Sequence, residues 1–228
     1  ILLIARNKNN LQKVLNELCV NLDQKHDFLS VDMSNTEGLV LALKKHKKTQ
    51  NADIIINNSG GPKGGLGHLA DPSDYSVAFR QHVLSAQAVA QIAIPLMKKG
   101  GFGRIVNIIS TSVKQPINGL GVSNTIRGAM ANWSKTLSSE LGQHGITVNN
   151  ILPGATQTDR LDELVKTKSE QSGSSIGEIR KKMVSAIPCG RFAEASEIAY
   201  MVVFLCSNYA NYVNGVNVPI DGGRTKSL

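Results

Sequence analysis

Aromatic side chains are scarce in this sequence: they make up 4% of residues, with a single tryptophan. Few platforms therefore exist on which the bases of a single-stranded nucleic acid can stack. Cysteine is nearly as sparse. Cys19, Cys189 and Cys206 have no metal-ligand spacing and cannot all pair, so reduced thiols in a cytoplasmic protein, with no metal site, are expected. No apolar run approaches the ~20 residues that cross a bilayer. No basic n-region, apolar stretch and cleavage site mark a leader, so neither secretion nor a membrane partner is expected. Acidic residues are outnumbered 17 to 25 by lysine and arginine, a net charge of +8. The densest basic piece, Lys44-Lys45-His46-Lys47-Lys48, follows an apolar-periodic stretch. It reads as the last turn of a helix, where cations complement the dipole, rather than as a nucleic-acid surface.

What is present is a regular alternation. Apolar runs at Ile1–Ala5, Phe28–Asp32, Asp53–Asn57, Arg104–Ser110, Ile146–Leu152 and Val216–Ile220 read as buried strands. Between them, helical spacing covers residues 8–22, 36–48, 73–98, 123–142 and 195–207. Residues 157–187 are rich in Lys, Ser and Glu and read as irregular. Strands alternating with helices argue for an α/β fold, a Rossmann-like doubly wound parallel sheet. At 228 residues and 24.5 kDa, one such domain spanning residues 1–228 accounts for the whole chain.

Several motifs share one order along the chain. Asp32 follows the second apolar run. Asn57-Asn58-Ser59-Gly60 ends the third, and Ser110 ends the fourth. Ser123 and Arg127 open the helix that follows. Pro153-Gly154 with Thr156 and Thr158 ends the fifth run, and Asn214-Gly215 and Asp221-Gly222-Gly223 close the chain. Together these resemble the short-chain dehydrogenase/reductase family over essentially the full length, and within it the β-ketoacyl carrier-protein reductase-like members. The resemblance implies a dinucleotide-binding domain, a homo-oligomer (tetramer or dimer), and a substrate lid at residues 157–187. It implies cofactor contacts from Asp32, Asn58, Ser59, Gly60, Pro153, Gly154, Thr156 and Thr158.

Two departures stand out. The family's glycine-rich turn, Thr-Gly-x-x-x-Gly-x-Gly, lies between its first strand and first helix, and this sequence opens after both. The Gly60–Gly67 stretch follows a later strand, contains Pro62, and reads as a mobile loop rather than a replacement. A piece of a longer chain is therefore expected, because without that turn dinucleotide affinity suffers. The second departure is catalytic. The family's Asn, Ser, Tyr and Lys correspond here to His82, Ser110, Ser123 and Arg127, and no tyrosine lies between Tyr75 and Tyr200.

Carbonyl reduction needs a hydride and a proton. A tyrosine, with a pKa of about 10, is lowered by an adjacent cation; a serine is a far weaker acid, and Arg127 stays protonated. The remaining acid is His82, about 6.5 unperturbed. The expectation is that His82 donates through a water in the vacated phenol space, Ser110 polarises the carbonyl, and Arg127 anchors the ribose and steadies the oxyanion. Blander roles compete: a packed or solvated His82, Ser110 capping local backbone, Ser123 as the N-cap of its helix, and loop threonines at 156 and 158. Arg6, after the first apolar run, suits a 2′-phosphate and favours NADP(H) over NAD(H), unless it is merely a solvated loop arginine. The expected function is an NADP(H)-linked oxidoreductase acting on a small-molecule carbonyl or alcohol through a non-standard site. The alternative is a catalytically degenerate relative that binds dinucleotide or a partner on the same scaffold.

Overall fold

The computed structural model describes residues 1–46, 49 and 51–227. Its first half runs β1 (Leu2–Ala5), α1 (Lys8–Glu17), β2 (Asp27–Ser30), α2 (Thr36–Lys45) and β3 (Ile54–Asn57). One long helical rod follows, made of α3 (Pro72–Phe79), a π-helical turn at Arg80–Leu84, and α4 (Ser85–Gly100). Then come β4 (Gly103–Ile108), α5 (Gly121–Leu141), β5 (Ile146–Pro153), α6 (Asp159–Ser172), α7 (Ile176–Ser185), α8 (Ala195–Cys206) and β6 (Asn217–Ile220). All described strand pairs are parallel: β1 with β2 in one sheet, and β3-β4-β5-β6 in the other.

The middle strands are apolar on both faces and need cover on both. On one face Ile105, Ile146 and Val148 pack against Ala93 and Met97 of α4 and Leu141 of α5. On the other, Val106 and Ile151 meet Ile198 and Leu205 of α8. The sheet is thus wound on both sides, as expected. β3 ends the strand order of the larger sheet, and its Ile54 and Ile56 are 43% and 51% exposed. The two sheets are joined by packing of Leu39 and Leu43 of α2 against Ala88 of α4.

Local chemistry sets the ends. Asp71 caps α3 by accepting the Ser73 N–H at 2.7 Å, with Pro72 at the first helical position. The first helix stops at Glu17 rather than reaching residue 22, because Val20 and Leu22 are exposed and offer no packing to extend it. Lys44 and Lys45 fall in the last turn of α2, as expected for dipole-complementing cations; Lys47 and Lys48 lie outside the described residues.

Residues 157–187 are not irregular. They form α6 and α7, which turn on Gly173 in the left-handed region and restart at a capping box between Ser175 and Glu178. Leu161 and Val165 on α6 pack with Ile179, Ile187 and Phe192. High polarity concealed the pair, since Lys, Glu and Ser fill the solvent faces of short helices while a few apolar positions bind them together. Among the described residues, no helix is long and apolar enough to cross a membrane.

A row of asparagines crosses the larger sheet. Asn57, Asn107, Asn150 and Asn217 stand in register on four adjacent strands, so their side chains share a face. Asn57 Nδ2 donates to Asn107 Oδ1 at 2.7 Å, and Asn107 Nδ2 to Asn150 Oδ1 at 3.0 Å. Asn150 Nδ2 donates to Asn217 Oδ1 at 2.8 Å, while Ser134 of α5 accepts from Asn107 at 2.8 Å. Buried amides of this kind are costly unless satisfied. Asn107→Ala strips partners from Asn57, Asn150 and Ser134 together. It is expected to lower unfolding stability by about 2 kcal/mol, read in urea as a lower midpoint with an unchanged slope.

Candidate active site

The carboxyl ends of β3, β4 and β5 carry the candidate residues, the side of an open parallel sheet where ligands bind. Arg127 projects from α5 and is buried. Its Nη1 donates to the Ile108 carbonyl at 3.0 Å and its Nη2 to the Ser59 carbonyl at 3.5 Å, so one guanidinium clasps the ends of β4 and β3. Burial pulls its pKa down to about 10, which still leaves it charged at neutral pH.

His82 lies inside the π-helical turn and is only 3% exposed. Its Nδ1 lies 2.6 Å from the Ser59 hydroxyl, and its Nε2 is buried with no protein partner. Burial first, then the Arg127 charge, bring its pKa to about 3, against a smaller opposing effect of the Gly60 carbonyl. The expectation of a histidine with an acidity near 6.5 is corrected here: the ring is neutral at physiological pH. A histidine held neutral stabilises the fold above its unfolded pKa of 6.5, and that stabilisation fades as pH falls toward 3. Between pH 7 and pH 5, wild type is therefore expected to lose about 2 kcal/mol more unfolding free energy than His82→Gln, measured by denaturant titration.

Ser110 follows β4 with extended backbone, and its oxygen accepts the Ser112 N–H at 3.1 Å. It caps local backbone as the blander reading held, and among the described residues its own hydroxyl hydrogen meets no acceptor. Ser123 is not the N-cap of its helix: α5 begins two residues earlier, after Leu120. It stands half-buried one turn before Arg127, on the same face, and no described residue holds its hydroxyl. Between them, Asn124 ties down the preceding loop, accepting the Ile117 N–H at 3.3 Å and donating to the Ile117 carbonyl at 3.0 Å.

The Gly60–Gly67 stretch does not hang free as a mobile loop would. Gly65 donates to the Gly119 carbonyl at 2.7 Å and accepts from the Gly121 N–H at 3.0 Å, a parallel bridge to the start of α5. From α6, Arg160 donates to the Pro62 carbonyl at 2.7 Å. Sequence reasoning missed this link, and no motif signals it.

Toward the cofactor side, Arg6 is exposed at the end of β1, with its carbonyl accepting from Ser30 at 3.0 Å. Asp32 accepts the Ser34 N–H and hydroxyl, both at 2.8 Å. The backbone bond from Ser34 is the largest cause of its lowered pKa, with Arg6 contributing. Asn58 and Gly60 are exposed after β3. After Pro153, Gly154 donates to the Ile220 carbonyl at 2.9 Å. The hydroxyls of Thr156 and Thr158 turn onto the carbonyls of Gly154 and Thr156 at 3.2 and 3.3 Å. His82 and Arg127 thus converge on Ser59, with Ser110 and Ser123 on the adjoining elements. Arg6 and Asp32 sit apart from them, on the smaller sheet. An exposed cation after β1 and an open asparagine after β3 fit the phosphate and adenosine ends of a dinucleotide.

A family model described as enoyl-(acyl carrier protein) reductase matches residues 1–225. The chain is 30% identical over 230 residues to the NADPH-dependent reductase BacG of Bacillus subtilis (strain 168), covering 98% of this chain and 87% of that one. Among solved structures, YwfH, an NADPH-dependent reductase involved in bacilysin biosynthesis, superposes with a TM-score of 0.91 at 28% identity, over 100% of this chain and 89% of that one. The L-sorbose reductase from Gluconobacter frateurii, complexed with NADPH and L-sorbose, gives 0.90 at 27% identity, over 100% and 88%. This chain belongs to the short-chain dehydrogenase/reductase family.

Proposed function

We propose that the protein is an NADP(H)-linked oxidoreductase that interconverts a small-molecule carbonyl and its alcohol without a tyrosine acid. The observation that carries this is the buried Arg127 guanidinium, one turn from Ser123 and bonded to the strand end that precedes Ser110. When bound, the nicotinamide supplies the hydride. Ser110 donates its hydroxyl hydrogen to the carbonyl oxygen, and Arg127 holds a fixed positive charge where negative charge develops. Ser123 occupies the seat of the family's phenol and passes on a proton from water. His82, neutral, orients the site rather than protonating it. Arg6, Asp32, Asn58, Ser59, Gly60, Pro153, Gly154, Thr156 and Thr158 line the dinucleotide. The pair α6 and α7 forms the substrate lid, and the Arg160 bond to Pro62 supports its closing over the cleft. Tyr200, Val203 and Phe204, exposed together on α8, support assembly into a homo-oligomer. The relatives whose names specify NADPH support the cofactor choice.

The test is a titration of the full-length protein with NADPH, followed by the nicotinamide absorbance in the presence of a panel of ketones. Consumption of NADPH is expected; binding without consumption overturns the reading in favour of a degenerate, binding-only relative. Arg6→Ser is expected to weaken NADPH about tenfold while leaving NADH nearly unchanged, since a charge-assisted bond to phosphate contributes roughly 1.5 kcal/mol or more.

A further inference from the structure

Two residues of the site depart from the family pattern together, His82 for asparagine and Arg127 for lysine, and Ser59 touches both. Ser59 offers its hydroxyl to His82 Nδ1 at 2.6 Å and its carbonyl to Arg127 Nη2 at 3.5 Å. We infer that Ser59 is a positioning residue that holds His82 in a single tautomer, with the ring proton on Nε2, and seats the Arg127 guanidinium beside it.

A neutral imidazole has one nitrogen that donates and one that accepts. Among the described residues the Ser59 hydroxyl has no hydrogen-bond partner except Nδ1, so its hydrogen is satisfied only if it donates there. Nδ1 then accepts, and the proton stays on Nε2. That N–H is buried and has no hydrogen-bond partner among the described residues, so it can donate to a substrate oxygen or to a water bound to it. A neutral imidazole N–H can polarise a carbonyl in this way without giving up its proton. An alanine at position 59 leaves Nδ1 unpartnered and the ring free to exchange tautomers, while the backbone carbonyls of residues 59 and 108 still hold Arg127. This role rests on the carbonyl-reducing function proposed above, but the tautomer itself does not.

The test begins with the ligand-free full-length protein labelled with 15N-histidine, the His82 signals being assigned by their loss in His82→Gln. Nitrogen shifts and two-bond couplings are expected to report Nδ1 as acceptor and Nε2 as donor. In Ser59→Ala both tautomers are expected to appear, and kcat with NADPH and a reactive ketone to fall about tenfold, equivalent to about 1.4 kcal/mol. Ser59→Thr, which keeps the hydroxyl, should restore both readouts. A wild-type spectrum with the proton on Nδ1 overturns the inference, as does a Ser59→Ala protein with the wild-type tautomer or undiminished kcat. If Ser59→Ala does not fold, the wild-type spectrum and Ser59→Thr still decide. A protein that shows the Nε2 tautomer yet oxidises no NADPH contradicts the proposed function and leaves the Ser59–His82 assignment standing.

Discussion

Arg127→Met is expected to lower kcat/KM by a factor of about 10²–10³, the loss seen when a preorganised donor to a developing oxyanion is removed. Methionine matches the length of the arginine stem and fills its buried space, so folding should survive while the charge disappears. The Ile108 and Ser59 carbonyls lose their donor, and the oxygen that gains negative charge loses the only permanently charged group of the proposed set. Arg127→Lys keeps the charge but not the planar fork that reaches both carbonyls at once. An intermediate loss, about tenfold, is expected from steady-state kinetics on the same ketone. A methionine variant with wild-type turnover, shown by circular dichroism to be folded, would remove Arg127 from the chemistry.

The largest effect on stability is expected at Gly121. A Cβ built there stands 2.2 Å from Gly67 Cα and 2.3 Å from Gly67 N, both backbone atoms that no rotamer change can move aside. Gly121→Ala must therefore push the Gly60–Gly67 stretch off the start of α5. That movement breaks the two bonds by which Gly65 grips Gly119 and Gly121. The combined overpacking and lost hydrogen bonds are expected to cost about 4 kcal/mol, measured by urea unfolding. Because Ser123 lies two residues on, activity should fall as well. By contrast, Gly128→Ala on the same helix has open space at its Cβ and should be neutral or slightly stabilising, which makes it the matched control.

Much of the fold was legible because its causes are local. Ile146–Leu152 sets Ile146, Val148, Ile151 and Leu152 between a glycine and Pro153-Gly154, and it became the most deeply buried strand. The helical spacing over 73–98 became α3, the π-helical turn and α4. What stayed hidden depends on register or on contacts between distant segments. Each of four strands shows an asparagine, but only the pairing aligns Asn57, Asn107, Asn150 and Asn217 into one row. Polarity between Gln157 and Ile187 suggested irregular chain, because the few apolar positions that pack α6 on α7 are diluted by charge.

The site was legible by position and illegible by chemistry. Ser110, Ser123 and Arg127 were named as candidates by resemblance to the family, and the arginine stands one helical turn after the second serine, tied to the end of β4. The acidity of His82 was misjudged, since no spacing rule shows that a side chain will be buried beside a guanidinium. Ser59 was expected only as a cofactor contact, and the fold sets it between His82 and Arg127. Arg160 carried no signal at all, because its partner is a backbone carbonyl 98 residues away.

The proposed function requires that a site with Ser123 and Arg127 in place of tyrosine and lysine still move a hydride to a carbonyl carbon. The most direct measurement supplies the full-length protein with NADPH deuterated at nicotinamide C4, on each face in turn, and examines ketone products by mass spectrometry. Deuterium on the carbinol carbon, from one face only and lost in Arg127→Met, is the predicted result. A protein that binds NADPH firmly yet leaves every product and ketone free of deuterium would contradict it.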